Sequence, residues 1–119
     1  MSEPLTQRAP HDAPDVAQLL EAVREFLAGD VMAATEGRVR FHSRVAANVV
    51  AIVERELALG PGQAVALAAR LDSLGVADEA ELARAIRSGA LDDRYAEVVA
   101  VVRATVLDKL AVANPGYVE

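Results

Sequence analysis

The sequence contains no cysteine and no tryptophan, and aromatic residues make up only 3% of its 119 residues. Without cysteine, the chain can form no disulfide, no thiolate metal site and no cysteine nucleophile. Because aromatic rings are so scarce, a hydrophobic core has to be built from alanine, valine and leucine. The 53% hydrophobic content excludes a disordered chain, and the length suits one domain with a real core.

Positive charge is also scarce, since 12 Lys and Arg face 18 Asp and Glu and the net charge is −6. An acidic chain is a poor candidate for binding nucleic acid or a membrane surface, because both depend on basic groups. The first residues are polar and rich in proline, unlike a secretory signal, and no stretch is long and apolar enough to span a bilayer. A cytoplasmic location is expected.

Sequence motifs that carry chemistry are missing as well. The chain has no glycine-rich phosphate loop, no nucleophile-elbow serine, no histidine pair at metal spacing and no acidic metal loop. We therefore expect no cofactor and no metal site, and we favour a non-enzymatic protein while leaving catalysis open.

The sequence does contain residues that typically begin or end helices. Residues 1–11 are predicted to form a disordered leader, and residues 12–119 one all-α domain, a bundle of about five helices. The predicted stops and caps are Asp12 to Asp15 for the first helix, Gly60-Pro61-Gly62 after a second helix over about 35–59, Gly75 after the third, Asp78 and Gly89 around the fourth, and Asp92 and Pro115 around the fifth.

The second helix is so apolar along one broad arc that it is expected to be the buried centre of the bundle. At about 100° per residue, that arc carries a large set of apolar side chains. The predicted core consists of Phe41, Val45, Val49, Ile52 and Val53, together with Leu20, Val23, Val102 and Val106. On the fifth helix, the predicted inward stripe is Tyr95, Val98, Val99, Val102, Val106 and Leu110.

Polar residues on these helices are the candidate site. Arg40, Arg44 and Asn48 are i, i+4 neighbours that stack in one row, which either binds an anion or is a solvated face. His42 lies in the apolar arc, where a buried imidazole with one hydrogen-bond partner is expected over a functional role. Lys109, on the apolar stripe of the fifth helix, is expected to extend towards solvent.

Five segments carry a resemblance to a known family: 38–49 (RVRFHSRVAANV), 52–57 (IVEREL), 78–82 (DEAEL), 91–93 (LDD) and 109–115 (KLAVANP). They resemble a family of small bacterial proteins that is labelled a domain of unknown function. Members of that family are typically encoded beside aminoglycoside-phosphotransferase-like kinases and acyl-CoA dehydrogenases. The resemblance implies an accessory role near such chemistry and names no reaction.

Two functions of different classes remain open. The first is an interaction module that binds a partner enzyme, kinase-like or acyl-CoA dehydrogenase, or a second copy of itself. The second is a small anionic-ligand-binding or catalytic domain that uses Arg40, Arg44 and His42, with Asn48 and Lys109 as further ligand-binding candidates. A concave pocket that combines Arg40 or His42 with Lys109 or a carboxylate would favour the second.

Overall fold

The computed structural model describes residues 13–118, which are almost entirely helical and contain no strand. The predicted leader over 1–11 lies outside the described residues. Helix α1 spans Val16–Phe26 and continues through a π-helical turn, Leu27–Val31, into a last turn, Met32–Ala34. The remaining helices are α2 (Gly37–Ser73), α3 (Glu79–Ser88) and α4 (Tyr95–Ala113), with short 3-10 turns at Asp92–Arg94 and Pro115–Val118.

The all-α class is confirmed, but the prediction of five helices is wrong, because the predicted second and third helices form the single helix α2. That helix runs without a break through Gly60, Pro61 and Gly62. A proline inside a helix removes one backbone hydrogen bond, its ring crowds the carbonyl of residue i−4, and it clashes with the Cβ of the preceding residue. Gly60 has no Cβ, so the last of these costs is absent at Pro61.

Most of the predicted local caps form, although α4 begins at Tyr95 after a 3-10 turn and is not capped by the Asp92 side chain. Asp15 caps α1 by accepting from the backbone N–H of Gln18, whose side chain accepts in return from the Asp15 backbone. Asp78 accepts from the Glu81 backbone at the start of α3. Gly89, with φ of 81°, ends that helix in the left-handed conformation that glycine adopts at little cost.

The chain divides into two compact units, the first ending at Glu56 and the second beginning at Leu57. In the first unit, α1 packs along the first half of α2. The Ser43 hydroxyl donates to the carbonyl oxygen of Leu27, in the π-helical turn, at 2.6 Å, and the Arg24 guanidinium binds the Glu54 carboxylate at 2.5 Å. We call the α1–α2 contact marked by these two bonds the α1–α2 seam. The assignment of 12–119 to one domain stays a prediction.

The second unit contains a conventional apolar core. Side chains from the end of α2, the following turn, α3 and α4 are buried against one another. The members are Leu71, Leu74, Val76, Leu82, Val98 and Val101. Asp108 of α4 ties this helix to α2 by accepting from Arg70 at 3.0 Å and through its backbone carbonyl from Gln63 at 2.9 Å.

The prediction that the helix over about 35–59 is the buried centre of the bundle is not confirmed. Within the described part of the first unit, Ser43 and Ala47 are the only buried residues. Most of the predicted core is at the surface, and Phe41 and Val49 are 58% and 53% exposed. The physical reason is that α1 covers only one side of α2, so the arc centred on Val49 has no helix of its own unit against it.

None of the described helices is both long enough and apolar enough to cross a membrane.

Candidate functional site

The predicted polar site lies on the first half of α2, in the first unit. Arg40, Arg44 and Asn48 are all exposed, as expected for a row on one helix face. The prediction that His42 is buried is wrong: it is exposed, and its ring contacts Phe41 edge-on with centroids 5.5 Å apart. Since α1 packs against the Ser43 side of α2, the imidazole is left facing solvent.

A depression of about 550 Å³ lies where α1 ends and α2 begins. Its lining is formed by the residues 32–36 and by Arg40. It therefore brings Arg40 together with the carboxylate of Glu36, whereas Arg44, His42 and Asn48 are not part of its lining. Its lining is more polar than apolar and contains one cationic and one anionic side chain, Arg40 and Glu36.

Lys109 belongs to the second unit, where its side chain is 65% exposed and its ammonium binds the Glu79 carboxylate at 3.1 Å. This geometry agrees with a lysine that extends to solvent from the edge of an apolar stripe. The residue has a structural partner within its own unit, and its proposed ligand-binding role stays a prediction.

Helix α4 presents an apolar stripe that the sequence predicts to be buried. Val98 and Val101 face the core of the second unit, whereas the neighbouring side of the helix is exposed. The exposed members are 40% to 74% accessible, and successive members are three or four residues apart. We define the α4 stripe as Tyr95, Val99, Val102 and Val106.

One charged pair, Arg94 and Glu97, lies close to the α4 stripe. Arg94 donates to both carboxylate oxygens of Glu97, and it also donates to the Ser73 carbonyl at 2.8 Å. The hydrogen bond from Arg94 lowers the pKa of the Glu97 carboxyl, and the same bond raises the pKa of Arg94. An apolar stripe with a polar margin is the usual anatomy of a protein-binding surface.

Two features of the first unit were missed by the sequence analysis. Ser43 is buried, and its hydroxyl donates a hydrogen bond to a carbonyl oxygen of the π-helical turn. Arg24 binds the Glu54 carboxylate, and both this hydrogen bond and the carboxylate charge raise the pKa of Arg24. The only signal in the sequence is Gly29 followed by Asp30, two poor helix formers within the helical pattern of this segment. Within residues 13–118, no group of three or more His, Asp or Glu side chains could hold a metal ion.

Comparison with known proteins identifies a family but no characterised relative. The sequence profile of a domain of unknown function, DUF6285, matches residues 33–117. The matched range begins in the last turn of α1 and includes α2, α3 and α4. No curated protein and no solved structure matches the chain. Since the profile covers well over half of the sequence, the chain belongs to the DUF6285 family.

Proposed function

We propose that this chain is a cytoplasmic accessory module that acts by binding a partner enzyme through the α4 stripe. The observation that carries the proposal is the exposure of Tyr95, Val99, Val102 and Val106 on one side of α4. Scattered surface valines are normal in soluble proteins, but four large apolar side chains on adjacent turns form a continuous patch.

The chemistry of the stripe suits a protein rather than a small molecule. It is a convex helix surface without polar groups that converge on one point, which small-molecule sites require. Tyr95, 74% exposed at the first residue of α4, offers a large apolar ring with a hydroxyl that can hydrogen-bond. Tyrosine is enriched among the residues that dominate binding energy at protein interfaces.

The partner class follows from the family resemblance rather than from the geometry. The enzymes that we propose as partners are an aminoglycoside-phosphotransferase-like kinase or an acyl-CoA dehydrogenase encoded next to a member of the family. An apolar groove on such an enzyme could accept one face of α4, as helix-binding grooves accept amphipathic helices. The module itself would contribute no catalytic group.

Binding of the purified chain to each purified enzyme tests this proposal, for example by isothermal titration calorimetry. Val102→Glu places a charge in the middle of the stripe and should weaken binding by about tenfold or more. Val65→Glu is the matched control, since it makes the same change at a more exposed valine of α2 (72%). Absence of binding to both enzymes, or equal loss in both variants, would contradict the proposal.

A second candidate function is small-anion binding in the depression lined by Arg40. The supporting observation is that this depression combines Arg40 with Glu36 at the N-terminal end of α2, where a helix favours negative charge. Titration with inorganic phosphate is the test, with Arg40→Gln expected to abolish binding and Arg44→Gln to leave it nearly unchanged. Equal losses of phosphate binding in the two variants would instead indicate that the anion binds to the row of Arg40, Arg44 and Asn48.

A further inference from the structure

The first unit lacks what a stable helical pair needs. Two helices joined along one seam bury only Ser43 and Ala47 in the described part of this unit, while its large apolar side chains are at the surface. On α2 the exposed ones are Phe41, Val45, Val49 and Val53, each four residues after the last. Such an i, i+4 row forms the ridge by which helices most often pack against each other.

We propose that this face of α2 is covered by the same face of a second copy of the chain, with the two α2 helices antiparallel about a two-fold axis at Val49. This inference rests on the proposed function as an interaction module. It adds a second binding surface, the exposed face of α2, and a second copy of the chain as the molecule that binds there. Two observations favour a second copy over another partner: the charge pattern of the face and its area.

The charge pattern is self-complementary. Arg38 and His42 lie on this face towards the start of α2, and Glu56 lies on it towards the end of the first unit. His42 and Glu56 are each seven residues from Val49, about two turns to either side and within about 20° of it. An antiparallel pair centred on Val49 therefore brings His42 of each copy next to Glu56 of the other, with Arg38 one turn beyond.

All three of these side chains are exposed, and none forms an ion pair within residues 13–118. A parallel pair would instead place Arg38 against Arg38 and Glu56 against Glu56, which is repulsive. The charges therefore select one orientation.

The area is sufficient for a specific interface. Helical spacing around the α1–α2 seam places Leu19 and Val23 of α1 on the same side as Val49, and both are about half exposed. With the α2 row, these side chains offer about 350 Å² of apolar surface per chain. If all of this surface is buried in the dimer, the usual share of about 60% apolar area gives a footprint of about 600 Å² per copy, the lower end of stable interfaces.

The oligomeric state of the full chain is the first test, measured by sedimentation equilibrium or by light scattering after gel filtration. The wild type should have the mass of two chains. Val49→Glu, which sets two carboxylates together at the axis, should give a single chain, whereas Val65→Glu in the same helix should stay dimeric. A wild type with the mass of one chain, or a dimer that Val49→Glu leaves intact, would overturn the proposal.

Disulfide cross-linking provides a second measurement that does not depend on the folding of a charged variant. Because the chain has no cysteine, every introduced thiol is unique. Under oxidation, V49C should cross-link to itself, and a mixture of H42C and E56C should give mainly the mixed product. Self-linked H42C would indicate a parallel pair, and no cross-linking of V49C would reject the interface.

A charge-swap cycle tests the register. His42→Glu and Glu56→Lys should each weaken the dimer by about two- to fivefold, and the double variant should recover most of that loss. No recovery would refute the charge pairing.

A chain that is monomeric yet binds a partner enzyme through Val102 would refute this inference alone, whereas a dimer that binds neither enzyme would refute only the proposed function.

Discussion

Replacing Leu74 with alanine tests the packing of the second unit. Leu74 is 3% exposed and lies in the turn after α2, where it packs in the cluster that includes Leu71 and Leu82. The substitution removes three carbon atoms, worth about 2.4 kcal/mol in transfer free energy at about 0.8 kcal/mol each. The cavity that remains adds to this, so the free energy of unfolding should fall by about 2–5 kcal/mol.

Urea unfolding followed by circular dichroism, at one fixed protein concentration, measures this loss. Leu107→Ala is the matched control, because that leucine is 40% exposed on α4 and alanine favours helix. Its cost should stay below about 1 kcal/mol. A loss below about 1 kcal/mol for Leu74→Ala, or equal losses for the two variants, would refute the packing described for the second unit.

Three smaller predictions concern single sites. Gly89→Ala should destabilise the chain by about 1–2 kcal/mol by thermal unfolding, since its φ is 81° and a Cβ would lie 3.0 Å from an Asp92 oxygen. Gly62→Ala should instead stabilise it by about 0.5–1 kcal/mol, because Gly62 is helical and has free space around it. Glu97→Gln should make the free energy of unfolding depend less on pH in acid. Arg94 lowers the pKa of Glu97 in the folded chain. The stabilisation from Glu97 is therefore present above its unfolded pKa and is lost as the pH falls through its folded pKa. Unchanged acid sensitivity in that variant would contradict the pairing.

The sequence predicts the parts of this fold that depend on local chemistry. Asp15, Asp78 and Gly89 cap helices because a carboxylate can reach a free backbone N–H and glycine tolerates positive φ, whatever surrounds them. The break expected at Pro61 did not form, because the outcome depends on the neighbouring Gly60 and on the packing of α2 beyond it.

The faces of α2 and α4 could not be predicted for a different reason. On α4, valines occupy positions 98, 99, 101, 102, 106 and 112, so apolar side chains cover more than one side of the helix. Periodicity then cannot tell the core-facing side from an exposed one, and Val98 was grouped with Val102 although only Val98 is buried. On α2 the same ambiguity led to a buried assignment for His42, which is exposed.

The central claim is that the α4 stripe is an accessible surface rather than part of the core. Thiol reactivity of the single-cysteine variants V102C and V98C tests it most directly in this cysteine-free chain. Val102 is 40% exposed and Val98 is 9% exposed on the same helix. We predict that V102C reacts with an aromatic disulfide reagent at nearly the rate of the unfolded chain, and that V98C reacts at least about tenfold more slowly. Equal rates, or faster reaction of V98C, would contradict the account.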